Sequence, residues 1–590
     1  MLDILIRNAW IIDGTGEPEF IGSIGIKSGR IVFVSKGTKE SDAIKTIDGT
    51  GLFVCPGFID AHSHVDLTLD SDRATDNFLM QGITTSVGGH CGTGYAPVGE
   101  TDFVKKIAAD WNCTLRWSTF GNWMDHIESL GGTGINYVSL VPHNSLRGAV
   151  LGSNFTREST PAEIEKITAF LRESLDAGAF GMSASLDAGV PGHFAGKTEI
   201  LELLRLLTEY DAVFAPHTRH HQNQWPSNGP EETAYGLYNG PQGETVTGRY
   251  HGLLEVLEYA MAVPGTNLMI SHLTPLYLVP HPHPAYVDDA IRRATLEEII
   301  DRPSAQGVRV SFNALTLPYS ISFEMNIADA FRPERMILPE WLRGLSREAF
   351  IRKLEDTDYR EKLTGFLISG RFKFDMVCPA TDPYWCKEFV IQHCRNKAVE
   401  GRTPYELALE KSPHDRAEAL YHTVFEILYD IIRDDPSATW HFIEDRRVDI
   451  GQLAHPMGMV ATDVCGFPGK FPEGRPLPGE KVSVCAYNSV PYYLEKLVKT
   501  DRAMSLFEAV RKLSSLPADI LGITERGRLQ EGYWADITII DWDNFKTSHD
   551  FDAPATPTRG MEYVIVNGRI AYEKGELTKV CSGKLLRKKH

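Results

Sequence analysis

The chain has 590 residues, 42% of them hydrophobic and 23% charged, and a formal net charge of −18. That length outruns one small core but suits a large α/β barrel with a lesser companion domain, and the composition is that of a folded globular protein. The acidic balance excludes a protein that tracks a phosphate backbone, which needs clustered basic surface, so nucleic acid is not an expected partner.

The opening Met1-Leu-Asp-Ile-Leu-Ile-Arg7 carries an acid where a secretory leader is positively charged. No uncharged apolar run of about 18 residues occurs. A cytoplasmic protein with no membrane partner is expected. The nine cysteines are scattered, without a Cys-x2-Cys pair, which suits a reducing compartment.

Residues 1–56 alternate apolar and polar, through Ile4, Ile6, Ile11, Ile24, Ile26, Ile31, Val32 and Val34, with turns at Asp13-Gly14 and Ser28-Gly29. The same texture returns in Ala535–Asp541 and Tyr563–Arg569. Both ends are therefore expected to build one β-sandwich domain, 1–56 plus 520–590, around an inserted catalytic domain at 57–519.

Leu52, Phe53, Val54, Phe58 and Ile59 read as a short buried strand, punctuated by Pro56 and Gly57, that runs out into His62 and His64. Alternate strand side chains share a face, so the two histidines point the same way and are placed to grip one cation.

Beyond them, apolar strands at 84–87, 137–141, 179–183, 213–215, 268–270, 308–312 and 459–461 alternate with helical spacing at 161–177, 199–210 and 253–261. That alternation predicts a parallel sheet, and the number of repeats a closed (β/α)8 barrel of the TIM type. Chemistry in such a barrel sits at the C-terminal ends of the strands. Cys91, His217, His272 and Asp463 each follow one of these strands. With His62 and His64 they form a candidate metal-ligand set.

The constellation resembles the amidohydrolase superfamily, and within it the N-acyl-D-amino-acid deacylase (D-aminoacylase) branch. The resemblance spans nearly the whole chain. Its carriers are Gly51-Leu-Phe-Val-Cys-Pro-Gly-Phe-Ile-Asp-Ala-His-Ser-His64, Gln81-Gly-Ile-Thr-Thr85, Gly89-His-Cys-Gly92, Ala179-Phe-Gly-Met-Ser183, His217-Thr-Arg219, Ile270-Ser-His272, Leu338-Pro-Glu-Trp341, Ala461-Thr-Asp463 and 508–517. Many superfamily members bridge two metals with a carboxylated lysine, whereas the deacylase branch is similar to this chain in offering a cysteine thiolate. The resemblance implies a tighter metal site of Cys91, His217 and His272 and a second, weaker site at His62, His64 and Asp463. It implies Asp463 as the general base. Zinc suits these donors best, with manganese as the alternative.

Two departures bear on the substrate. The branch grips a substrate carboxylate with an arginine of a His-Pro-Arg stretch and a tyrosine at a strand end. Here the corresponding segments read 478–488 and Ser311-Phe-Asn-Ala-Leu-Thr-Leu-Pro318, so Arg475, Lys481 and Tyr319 are the replacements on offer. The second departure is an insertion after His217, 222–251, rich in Gly, Pro, Asn and aromatics including Trp225, and expected to lie over the barrel mouth as a lid. Arg219, His220 and His221 open it as a polar cluster able to face an oxyanion. The block 332–443 is expected to be a helical insertion.

The functional expectation is a metal-dependent hydrolase of a small molecule that activates water for attack on a carbonyl, cleaving C–N in an N-acyl amino acid or other linear amide. The alternative is a neutral ring, a cyclic amide or a cyclic 1,3-diketone of the dihydrophloroglucinol type, opened by C–C hydrolysis. A non-catalytic scaffold is the reading from another class, and a homo-oligomer the expected assembly.

Overall fold

The computed structural model describes residues 1–71, 73–110, 113–187, 191–219, 221, 237–239, 245–277, 279, 283–317, 325–330, 341–342, 345–368, 385–412, 417–443, 448–469, 482, 484–550 and 553–589. Two sheets and one insertion organise them. The strands Leu2–Ile11, Phe20–Lys27, Arg30–Lys36, Ala43–Asp48 and Phe53–Pro56 join Ile537–Ile540, Met561–Val566, Arg569–Glu573 and Glu576–Leu577 in one nine-stranded sheet. The chain's two ends meet at Phe53–Pro56, which runs antiparallel to Ile537–Ile540 and parallel to Leu2–Ile11.

The sandwich of two sheets is here a single hydrogen-bonded sheet turned over a core of its own. Ile4, Ile6, Ile24 and Ile26 pack in the same cluster as Ala535, Ile537, Ile539 and Ile565. The domain also ends earlier than 590. Gly583 and Leu585 bridge to Thr133 and Tyr137, and Lys588 N–H donates to the Gly178 carbonyl at 2.9 Å, so the tail returns to the barrel.

The barrel has eight parallel strands: Phe58–Asp60, Ile83–Gly88, Asn136–Ser139 continuing as Val141–Pro142, Gly181–Ser185, Val213–His217, Asn267–Ile270, Arg309–Leu315 and Gly458–Ala461. The ring closes where Ala61 N–H donates to the Val460 carbonyl at 3.2 Å. Each strand is a short, mainly buried run, as a sheet covered on both faces requires, the seventh alone starting on an exposed residue, Arg309.

The apolar stretch 52–59 proves to be two strands in two sheets. Phe53–Pro56 belongs to the terminal sheet and Phe58–Asp60 opens the barrel. Outer helices follow their strands, among them Pro161–Asp176, Lys197–Glu209 and Gly248–Ala262. The first begins with a capping box in which Thr160 and Glu163 satisfy each other's backbone N–H groups.

The insertion is not purely helical. Its helices Arg347–Lys353, Thr357–Ile368, Pro404–Lys411 and Ala417–Asp434 pack with an antiparallel sheet of Met325–Asn326, Thr439–Phe442 and Phe389–His393. It carries a separate core around Trp385, Phe389, Phe425 and Trp440. Most of the expected lid lies outside the described residues. Its described part is a short pair, Leu237–Asn239 with Thr245–Thr247, and the helix starting at Gly248 takes its last residues.

Candidate metal centre

The first strand delivers two histidines just past its end. His62 is fully buried, and its Nε2 lies 3.3 Å from Asp463 Oδ1 and 3.4 Å from Cys91 Sγ. His64 Nε2 is 3.0 Å from the same Asp463 oxygen. Cys91 Sγ is 3.3 Å from His272 Nε2. Two donor groups result, His62 with His64, Cys91 and Asp463, and Cys91 with His217 and His272, each with its ligand atoms within 4.8 Å of one another. Cys91 thus stands in both groups, where the sequence placed it in one.

These side chains are held by strained and braced backbone. Cys91, His272 and Asp463 have φ of 51°, 36° and 56°, a left-handed region that non-glycine residues seldom enter and that marks functional positions when the surroundings enforce it. On either side of His90-Cys91, Gly89 and Gly92 have φ of 75° and 67°, and a Cβ on Gly89 would come within 2.2 Å of the Leu140 carbonyl oxygen. Gly89 N–H donates to Asp66 Oδ1 at 2.8 Å and Gly92 N–H to Ser183 Oγ at 3.0 Å. The Asp463 end is fixed through Asp60, which accepts from the Thr462 N–H at 3.0 Å, from its hydroxyl at 2.7 Å and from Ser86 at 3.0 Å. Asp60 thereby ties the eighth, first and second strands. Burial pushes its carboxyl up to about 6, against these hydrogen bonds.

Asn313, on the seventh strand, sets the histidine geometry. Its Oδ1 accepts from the His272 backbone N–H at 2.7 Å, which fixes the amide's orientation, and the same oxygen lies 3.2 Å from His62 Nδ1. That nitrogen must then carry the proton, leaving the Nε2 lone pair for the side facing Cys91 and Asp463. Removing the oxygen in Asn313→Ala is expected to weaken metal binding about 10- to 100-fold, measurable by chelator competition.

The charges match the geometry. Burial alone would raise the Cys91 thiol, but the charges of His62 and His272 and hydrogen bonds from His217 and His272 hold it well below its ordinary value. Asp463 is likewise raised by burial yet held well below the carboxylate range by His62 and His64. A thiolate and a carboxylate surrounded by imidazoles form a pocket built for positive charge, and this donor chemistry fits a divalent metal.

Of the other residues singled out in the sequence, His221 does join the cluster. It is buried, with its ring centroid 4.5 Å from that of His217 and 4.4 Å from that of His272. Arg219 does not face the site. Its Nε donates to Glu255 at 3.0 Å and its Nη1 and Nη2 to the His193 and Ala195 carbonyls at 2.7 and 3.4 Å, because a guanidinium largely withdrawn from water requires a carboxylate and carbonyls around it. Arg219→Ala is expected to destabilise the protein by about 3 kcal/mol, seen in the denaturation midpoint, by stranding Glu255. His220, Trp225, Tyr319, Arg475 and Lys481 lie outside the described residues.

Sequence reasoning passed over Asp60, Asn313 and His90. The His90 ring stacks on His62 at 3.8 Å with 17° between planes, and neither ring nitrogen has a hydrogen-bond partner among the described residues. Burial, then the His62 charge, keeps His90 neutral well below the usual histidine range.

Known proteins resemble this chain along nearly its whole length. A family model described as "Amidohydrolase family" matches residues 486–572. The chain is 25% identical over 582 residues to an N-acyl-D-aspartate deacylase of Alcaligenes xylosoxydans xylosoxydans, covering 98% of this chain and 93% of the relative. It is 24% identical over 585 residues to a D-aminoacylase of the same organism, covering 99% and 97%. In fold it is similar to the crystal structure of an N-acyl-D-glutamate deacylase from Bordetella bronchiseptica complexed with zinc and a phosphonate inhibitor, with a TM-score of 0.67, 24% identity and 99% of each chain covered. Along nearly its whole length the chain is similar to amidohydrolases of the D-aminoacylase-like branch. That likeness makes it a metal-dependent hydrolase, and the scaffold reading falls away. The family match lies wholly C-terminal to the six candidate ligands, so their assignment in this chain rests on the donor geometry. No helix among the described residues is long and apolar enough to cross a membrane.

Proposed function

We propose that this protein cleaves a small-molecule amide by hydrolysis, with zinc, or manganese in its place, held by Cys91, His217 and His272, and a second, weaker position at His62, His64 and Asp463 that shares Cys91. The observation that carries the proposal is the pair of donor groups meeting at one thiolate. When bound, the metal lowers the pKa of water and polarises the substrate carbonyl. Asp463 is then the acceptor for the water's proton: its carboxyl is ionised, and its Oδ1 sits at the junction of His62 and His64. The same carboxyl returns the proton to the leaving nitrogen. His62 is oriented for this by Asn313, and His90 packs against its face. Among the described residues no disulfide joins the eight cysteines, which supports a cytoplasmic setting.

A second reading, ring opening of a neutral cyclic amide or cyclic 1,3-diketone, is favoured by one observation. The two described arginines that follow His217 most nearly are engaged within the protein: Arg219 by Glu255, and Arg249 by the His221 and Pro275 carbonyls at 3.0 and 3.2 Å. Arg219, at least, is committed to Glu255 and not to a substrate carboxylate. The deciding experiment assays zinc- and manganese-loaded protein on N-acetyl-D-amino acids, their neutral carboxamides, a cyclic amide and a cyclic 1,3-diketone. Chelation should abolish turnover and metal restore it. A fully metallated protein inert on all four classes would overturn the proposal.

A further inference from the structure

Below the donors, the inside of the barrel carries polar atoms that the surrounding side chains leave unmatched. Met269 packs there with Ile59, Val87, Val138, Val213 and Met459, residues of five other strands. Side chains alternate along a strand, and Ser271 N–H still donates to the Pro216 carbonyl at 3.1 Å, so Ser271 falls on the inward side with Met269. Met269 is in register with Ser311 and Ile270 with Phe312, which sets the next pair, Ser271 and Asn313, beside each other. Ser271, His272 and Asn313 are all buried. Among the described residues, Ser271 Oγ, Asn313 Nδ2 and His272 Nδ1 have no hydrogen-bond partner.

The three atoms are close together. Asn313 Oδ1 accepts from the His272 backbone N–H at 2.7 Å, and bond lengths alone then keep Asn313 Nδ2, Ser271 Oγ and His272 Nδ1 within about 5 Å of that backbone nitrogen. Their chemistry is fixed by what the neighbouring atoms do. The amide oxygen faces the His272 N–H, so Asn313 Nδ2 has only N–H groups to offer. His272 Nε2 turns to Cys91 Sγ at 3.3 Å, so a ring that gives this lone pair to a metal carries its proton on Nδ1. The hydroxyl donates and accepts.

Leaving such groups buried and unpaired is costly. A cation does not match them, since two of the three only donate. A water molecule does: it accepts from both nitrogens and donates to the hydroxyl oxygen, about the number of bonds usual for a buried water. Resting on the Cys91, His217 and His272 donor group proposed above, we infer that one ordered water bridges Ser271 Oγ, Asn313 Nδ2 and His272 Nδ1, and that Ser271 is through it a positioning residue for a metal ligand. The water is the outer partner of His272 that no described side chain supplies, and it holds the proton on Nδ1 and the ring in its plane. Asn313 then serves both donor groups, His62 through its oxygen and His272 through its nitrogen.

Two readouts test this, and neither is turnover. High-resolution crystals of the full-length protein, with and without zinc, should show a water within hydrogen-bond distance of all three atoms. In chelator competition, Ser271→Ala should bind zinc about tenfold more weakly than wild type, and Ser271→Thr, which restores a hydroxyl, should return to within about threefold. No water at that place, or a water out of reach of His272 Nδ1, overturns the inference without any variant. So does unweakened zinc binding by Ser271→Ala, or a folded Ser271→Thr as weak as Ser271→Ala. Wild type that binds no zinc at all sinks the reading on which the inference rests, and zinc held with no water in place sinks the inference alone.

Discussion

Cys91→Ala should lose most of its bound metal by elemental analysis and, with it, more than about a hundredfold of activity, beyond the 10- to 100-fold typical of outer partners. The expectation follows from the thiolate's place in both donor groups. Without it, one side keeps His62, His64 and Asp463 and the other only His217 and His272. Neither side then offers four protein donors, and the second falls short even of the three protein ligands usual at a catalytic zinc. The thiol is also the group whose ionisation the surrounding histidines favour, so its removal leaves imidazoles without the negative charge that balances a dication. Full metal occupancy in a folded Cys91→Ala protein would remove Cys91 from the site.

The strand ends were readable because each barrel strand is a short apolar run with the chemistry-bearing residue directly after it. Val213-Phe-Ala-Pro-His217 and Asn267-Leu-Met-Ile-Ser-His272 show this, and period and placement are local properties of a chain. What escaped depends on partners distant in sequence. Asp60 acts through Thr462, 402 residues away, and Asn313 through His62, 251 residues away. Arg219 looked like an anion ligand because Glu255, which neutralises it, lies a helix later. The run at 52–59 looked like one strand because nothing in its hydrophobicity marks the passage from one sheet to the next at Gly57. In the insertion, Phe389–His393 and Thr439–Phe442 pair across a segment dominated by helices, so strand signals of five and four residues were outweighed by helical surroundings. The left-handed backbone at Cys91, His272 and Asp463 left no trace in composition, since none of the three is glycine.

Asp463→Asn separates proton transfer from metal holding. The substitution keeps the side chain's shape and one carbonyl oxygen, so the contact with His64 at 3.0 Å and the backbone bond from Asp463 N–H to the His62 carbonyl at 2.9 Å can persist. What it removes is the basicity of a carboxyl that is ionised at neutral pH because His62 and His64 outweigh the effect of burial. A metal nearby favours the ionised form further. The expected loss is on the order of 10² to 10⁴ in kcat with a modest change in KM, the pattern of an interaction made in the transition state. Amide cleavage and ring opening both need this step, since one protonates an amine and the other an enolate carbon. Metal content must be measured alongside, so that loss of the ion is not mistaken for loss of the base. Near wild-type turnover in a fully metallated Asp463→Asn protein would move the proton to another group, and buried His221, 4.5 Å from His217 between ring centroids, is the next to test.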